Sequence, residues 1–127
     1  MNDTNNQEEK DLSNISEVEL IKRITKSFKN SNKSTIIDIG DDAALLKFDK
    51  TNVTISQDIL VEGVHFDLSY VPLKHLGYKS VVVNISDIIS MNVKPSHILV
   101  SIAASNRFKI NDLGELYDWN KLTCSSY

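Results

Sequence analysis

Between Leu73 and Met91 the chain runs without a turn signal, preceded by Pro72 and followed by Pro95, and most of what it carries is apolar. No other stretch constrains the fold as tightly, because a segment of that length and character has to be covered. Val81-Val82-Val83 favours strand by propensity, whereas the uninterrupted length favours helix. Length decides, and the spacing predicts a helix buried nearly all round, with Pro72 in its first turn and Pro95 beyond its end. On that helix Ser80, Asn84, Asp87 and Met91 share one face. An amide and a carboxylate therefore project from a valine- and isoleucine-rich surface, and a carboxylate so placed is rarely left without a partner.

The sequence around this helix supplies shorter elements. Residues 1–12 hold little to bury and are expected to form a disordered acidic and polar tail. Ser16-Glu17-Val18-Glu19 is a capping-box pattern, and Leu20, Ile21, Ile24 and Phe28 follow at helical spacing, which predicts a helix of about three turns. Thr35 to Ile39, Ala44 to Phe48, Val53 to Ser56 and Ile98 to Ala103 read as strands, the last of them central. Gly63 marks a bend or bulge, and Asp112 is the expected cap of a last helix carrying Leu113, Leu116 and Tyr117. A chain of 127 residues, 41% apolar and 24% charged, holds one soluble domain. The expectation is an α+β domain over residues 13–127, with a mixed or antiparallel sheet of about four strands and helices on one face.

Several function classes drop out. A net charge of -3 leaves no basic footprint for nucleic acid. Cys124 is the single cysteine, which excludes an internal disulfide and a thiolate zinc cage and fits a reducing, cytoplasmic setting. No stretch has the apolar length of a membrane span, and the N-terminus lacks the pattern of a signal peptide. His65, His75 and His97 have no ligand spacing, and the glycines at 40, 63, 77 and 114 form no P-loop.

The acidic residues carry the chemistry. Asp41 and Asp42 follow Gly40 between two expected strands, Asp58 follows a third, and Asp87 lies on the long helix. Mg2+ takes oxygen ligands and is usually held by one or two carboxylates, while phosphates and water supply the rest. Carboxylates that converge repel one another unless cations lie between them. That chemistry suits phosphoryl transfer, in which a protein mainly positions reactants and neutralises charge. Taken singly, Gly-Asp-Asp also suits a solvated turn, Asp58 a cap and His65 a half-buried histidine.

In this order, Ile39-Gly40-Asp41-Asp42-Ala43-Ala44, then Asp58-x-Leu60-Val61-Glu62-Gly63-Val64-His65-Phe66, then Gly77-Tyr78-Lys79 with Asn84-Ile85-Ser86-Asp87 resemble the thiamine-monophosphate kinase family. That family lies in the ATP-binding superfamily that also holds aminoimidazole ribonucleotide synthetase and selenophosphate synthetase. The resemblance runs from about Ser16 to the last residue. It implies the superfamily's N-terminal domain and ATP-dependent phosphorylation of thiamine monophosphate to thiamine diphosphate, with ATP as co-substrate and Mg2+ ions bridging the phosphates. By the same resemblance Asp42, Ser56, Gln57, Asp58 and Asp87 are metal-liganding positions with Asp41 adjacent. His65 contacts substrate, Tyr117 contacts nucleotide, and no side chain is catalytic beyond positioning and metal electrostatics. Gln57 departs from the threonine common at its position, where an amide or backbone oxygen would substitute, and Trp119 stands where the family tends to carry glycine.

The resemblance also implies a homodimer through the sheet and a Gly-Gly-Asp segment for the nucleotide phosphates. This sequence holds neither that segment nor a C-terminal domain, so it reads as an N-terminal domain truncated at Tyr127, expected to turn over no substrate alone. Two alternatives stand beside this reading. One is another activity of the superfamily, and the other is a non-catalytic dimerising or metal-binding fragment.

Overall fold

The computed structural model describes residues 11–40 and 43–127. The expected helices form, with shifted ends. Helix α1 is Glu17–Ile24, and the Ser16 hydroxyl caps it by accepting from the Glu19 N–H at 3.3 Å. It stops short of Phe28: Thr25 is its C-cap, with both N–H and hydroxyl on the Ile21 carbonyl, and a turn closed by the Phe28 N–H on the Thr25 carbonyl at 2.9 Å follows. Helix α2, Leu73–Ser90, occupies the long apolar stretch, so length prevails over the valine propensity. Its terminator is Asn92 rather than Pro95. Asn92 adopts a left-handed backbone (φ 58°), with Asn92 N–H on the Ile89 carbonyl at 2.8 Å and Val93 N–H on the Ile88 carbonyl at 3.2 Å. That is a Schellman end. Helix α3, Ile110–Cys124, begins before Asp112, whose carboxylate reaches back to the Lys109 N–H at 2.7 Å. Asp112 therefore caps from inside the first turn.

Strands β1, Thr35–Ile37, and β2, Leu45–Leu46, pair antiparallel with Thr35 opposite Leu46 and Ile37 opposite Leu45. They enclose the Gly-Asp-Asp connection, of which Asp41 and Asp42 lie outside the described residues. The expected sheet of about four strands is corrected to two among the described residues. Val53 to Ser56 and Ile98 to Ala103 adopt no strand, since a strand exists only where a neighbour completes its ladder. The second segment is held near β1 by side chains instead. His97 Nε2 lies 3.0 Å from the Thr35 hydroxyl and 3.3 Å from that of Ser34, and Asn32 Nδ2 donates to the Ser96 carbonyl at 3.4 Å. Ile55 and Leu99 remain 82% and 91% exposed.

The core is helical. Ile24 of α1, Leu76, Val81 and Ile85 of α2, and Ile110 and Leu113 of α3 are its buried apolar residues. Helix α3 packs against both of the others. The expectation that α2 is buried nearly all round is corrected, because Tyr78 and Ile89 are exposed and a single stripe faces α3. Gly77 allows the two helices to approach, since a Cβ there would stand 2.5 Å from the Leu116 carbonyl and 3.0 Å from the Trp119 Cβ. Of the expected tail, residues 1–10 lie outside the described residues, and its last two residues belong to local structure. Asp11 pairs with Lys109 through both a β-bridge and an ion pair, and Leu12–Asn14 forms a 3-10 turn. No helix among the described residues is long and apolar enough to cross a membrane.

Candidate functional site

Helix α2 presents Ser80, Asn84 and Asp87 on one face, and the segment after Val53 is fastened to that face at two points. The Ser56 hydroxyl donates to Asp87 Oδ2 at 3.0 Å, and the Asp58 N–H donates to Asn84 Oδ1 at 3.0 Å. Ser56 and Asp58 are two apart in the chain, Asn84 and Asp87 one helical turn apart, and the order is reversed, so the segment runs antiparallel to the helix. Gln57 lies between the two fastenings and is exposed. Ser56, Asp58 and Asp87 are thus brought together on an open shelf where both aspartates face solvent.

The next residues close on themselves. Gly63 takes a left-handed backbone (φ 79°), its N–H donates to the Phe66 carbonyl at 2.8 Å, and the His65 N–H donates to the Val61 carbonyl at 2.8 Å. A side chain at position 63 would strain this turn. Inside it the Val61 N–H donates to His65 Nδ1 at 3.0 Å. With Nδ1 accepting, the ring proton sits on Nε2, which makes Nε2–H a donor. The Lys79 ammonium bonds the His65 carbonyl at 2.9 Å and keeps further N–H donors at the same place.

Beside this turn a cleft of about 550 Å³ is lined by residues including Glu62, Asp67, Ser69, Arg107, Phe108 and Asp112. The ion pair of Arg107 with Glu62 ties the turn to the approach of α3. Hydrogen bonds from the Ser69 hydroxyl and backbone N–H hold the Asp67 carboxyl below its ordinary range. Tyr117 is half-buried on α3, packed edge-on against Phe28 with ring centroids 6.1 Å apart, and burial raises its phenol pKa. Its described ring contact is with Phe28.

Among the described residues no three of His, Cys, Asp and Glu converge as a metal cage. The donors present are two carboxylates and a hydroxyl, all hard oxygens on an open surface. That set suits Mg2+, which keeps several waters and takes phosphate oxygens alongside one or two carboxylates. It does not suit zinc. The sequence reading did not assign roles to Lys79 or Arg107. Lys79 had a signal in the Gly77-Tyr78-Lys79 motif, but Arg107 meets Glu62 across 45 positions and left none.

Residues 40–124 match the family described as AIR synthase related protein, N-terminal domain. The protein named thiamine-monophosphate kinase in Buchnera aphidicola subsp. Schizaphis graminum (strain Sg) is 47% identical over 87 residues, covering 68% of this chain and 27% of that protein. Proteins of the same name are 36% identical in Bacillus subtilis (strain 168), covering 82% of this chain and 32% of the relative, and 36% identical in Escherichia coli (strain K12), covering 68% and 26%. The chain thus spans about a third or less of the length of these relatives. No solved structure matches it.

Proposed function

Because the chain belongs to the family of AIR synthase related protein N-terminal domains, we propose that it supplies the metal-binding shelf of a thiamine-monophosphate kinase, which phosphorylates thiamine monophosphate to thiamine diphosphate at the expense of ATP. The observation that carries this reading is the double fastening of Ser56 to Asp87 and of Asp58 to Asn84, which sets oxygen donors from two distant segments on one helix face. The family match over residues 40–124 includes both fastenings, and the relatives that bear the kinase name match 68% and 82% of the chain.

Asp58, Asp87 and the Ser56 hydroxyl would hold Mg2+, with Asp42, Asp41 and the Gln57 amide as further donors. Bound there, Mg2+ supplies charge neutralisation for the phosphates and a template for in-line transfer. The chain's own residues bind and orient. His65 Nε2–H and the Lys79 ammonium are paired donors for an anionic substrate group, held in place by the closed turn at Gly63. Tyr117 is assigned to the nucleotide. The exposed Ile55, Ile98, Leu99, Val100 and Ile102 support a homodimer in which the 53–56 and 98–103 segments complete a larger sheet with a second copy. We place the enzyme in the cytoplasm.

The test is a chimera in which residues 40–124 replace the aligned segment of the Bacillus subtilis relative. The chimera is expected to form thiamine diphosphate, and Asp58→Ala or Asp87→Ala within it to lower the rate by about 100-fold or more. Near-full turnover by both variants would sink the assignment of the shelf.

A further inference from the structure

We infer that Asn84 is a positioning residue that sets Asp58 on the metal shelf; the inference rests on the metal-site reading above. Both ends of its amide are engaged by groups of opposite character. Asn84 Nδ2 donates to the Ser80 carbonyl one turn back at 3.0 Å, and Asn84 Oδ1 accepts from the Asp58 N–H at 3.0 Å. A carbonyl partner and an N–H partner leave the amide one orientation.

The two fastenings of the segment differ in what they consume. Ser56 to Asp87 engages two candidate ligand groups, one carboxylate oxygen and the hydroxyl proton. Asn84 to Asp58 uses only the backbone N–H of Asp58 and leaves the carboxylate free, so it persists when the shelf is loaded. Asn84 is in turn anchored through Ser80. The Ser80 proton is shared in a three-centre bond between the Gly77 carbonyl at 2.9 Å and Asn120 Oδ1 at 3.0 Å. Asn120, on α3, is only 1% exposed. Hydrogen bonds on the hydroxyl and on the carbonyl of Ser80 therefore link the helical core, through that residue and Asn84, to the main chain of Asp58. Of these side chains, Asn84 alone touches the shelf segment.

The experiment measures Mn2+ affinity by calorimetry and hydrogen exchange of the Asp58 amide by NMR, on the full 127-residue chain. Wild type is expected to bind Mn2+ and to protect the Asp58 amide without metal. Asn84→Ala is expected to weaken Mn2+ binding by about tenfold and to bring Asp58 exchange to the level of neighbouring exposed amides. Asn84→Asp keeps the acceptor for the Asp58 N–H but sets an oxygen in place of the donor to the Ser80 carbonyl, so it is expected to restore that protection only in part. Should Asn84→Ala not fold, Asn84→Ser, too short to span both partners, carries the same test. Mn2+ bound equally by wild type and the Ala or Ser variant, with the Asp58 amide still protected, overturns the positioning role alone. A wild type that binds no Mn2+ overturns the shelf reading and the positioning role with it.

Discussion

Replacing Gly77 by alanine puts a methyl group where α2 and α3 touch. The new Cβ would stand 2.5 Å from the Leu116 carbonyl oxygen, whereas ordinary contact begins at 3.4 Å, so α3 must retreat by 3.4 − 2.5 = 0.9 Å at that point. The obstacle is backbone, and no rotamer change relieves it. Overpacking of this kind costs about 1–3 kcal/mol, and a rigid obstacle puts it near the top of that range. Alanine returns about 1 kcal/mol through its better helix propensity. The net is a loss of about 1–2 kcal/mol, or a fall in Tm of roughly 4–8 °C for a domain of this size. Gly114 in α3 is the matched control, because it too lies inside a helix but a Cβ there meets nothing within 4 Å. Gly114→Ala should therefore stabilise, by about 1 kcal/mol. Thermal denaturation followed by circular dichroism reads both signs. If Gly77→Ala raised Tm alongside Gly114→Ala, the close α2–α3 crossing would be wrong.

Ser16→Ala removes the cap of α1 and should cost about 0.5–1 kcal/mol, with Ser16→Asp near wild type; equal melting of all three would deny the cap any role. Burial raises the pKa values of the Tyr117 phenol and the Cys124 thiol. Each stays neutral in the folded chain while its unfolded counterpart ionises, so stability should fall as pH rises through about 8.5 for the thiol and about 10 for the phenol. A Tyr117→Phe, Cys124→Ala double variant should flatten that alkaline loss in urea midpoints, and an unchanged slope would refute the assignment.

What was legible in the sequence is what local chemistry determines. The turn-free length of 73–91 gives the helix, Ser16 its cap, and Gly63 the bend, because each outcome is settled within a few residues. The helix end was misread because Pro95 is the louder signal, yet Asn92 can enter the left-handed region earlier and satisfy the last carbonyls itself. Among the described residues the sheet has two strands rather than the four expected, for a different reason. Val53 to Ser56 and Ile98 to Ala103 have strand composition, but pairing depends on a neighbour that composition cannot supply. Contacts such as Arg107 with Glu62 were out of reach because nothing periodic links distant charges.

Helix α2 shows why the same-face reading held for Ser80, Asn84 and Asp87, with Met91 left beyond the helix as its C-cap, while the expectation of all-round burial did not. Burial is a single stripe through Leu76, Gly77, Val81 and Ile85, and Ser80 lies at its edge. Its hydroxyl meets Asn120 on the packed side, and its carbonyl holds Asn84 on the open side. Turning the helix by one residue, about 100°, would take Gly77 away from Leu116 and Asn84 away from Asp58 together. Core packing and the shelf therefore select one rotational setting of α2. Gly77→Ala should accordingly loosen the Asp58 amide as well as lower Tm, although position 77 touches no shelf residue.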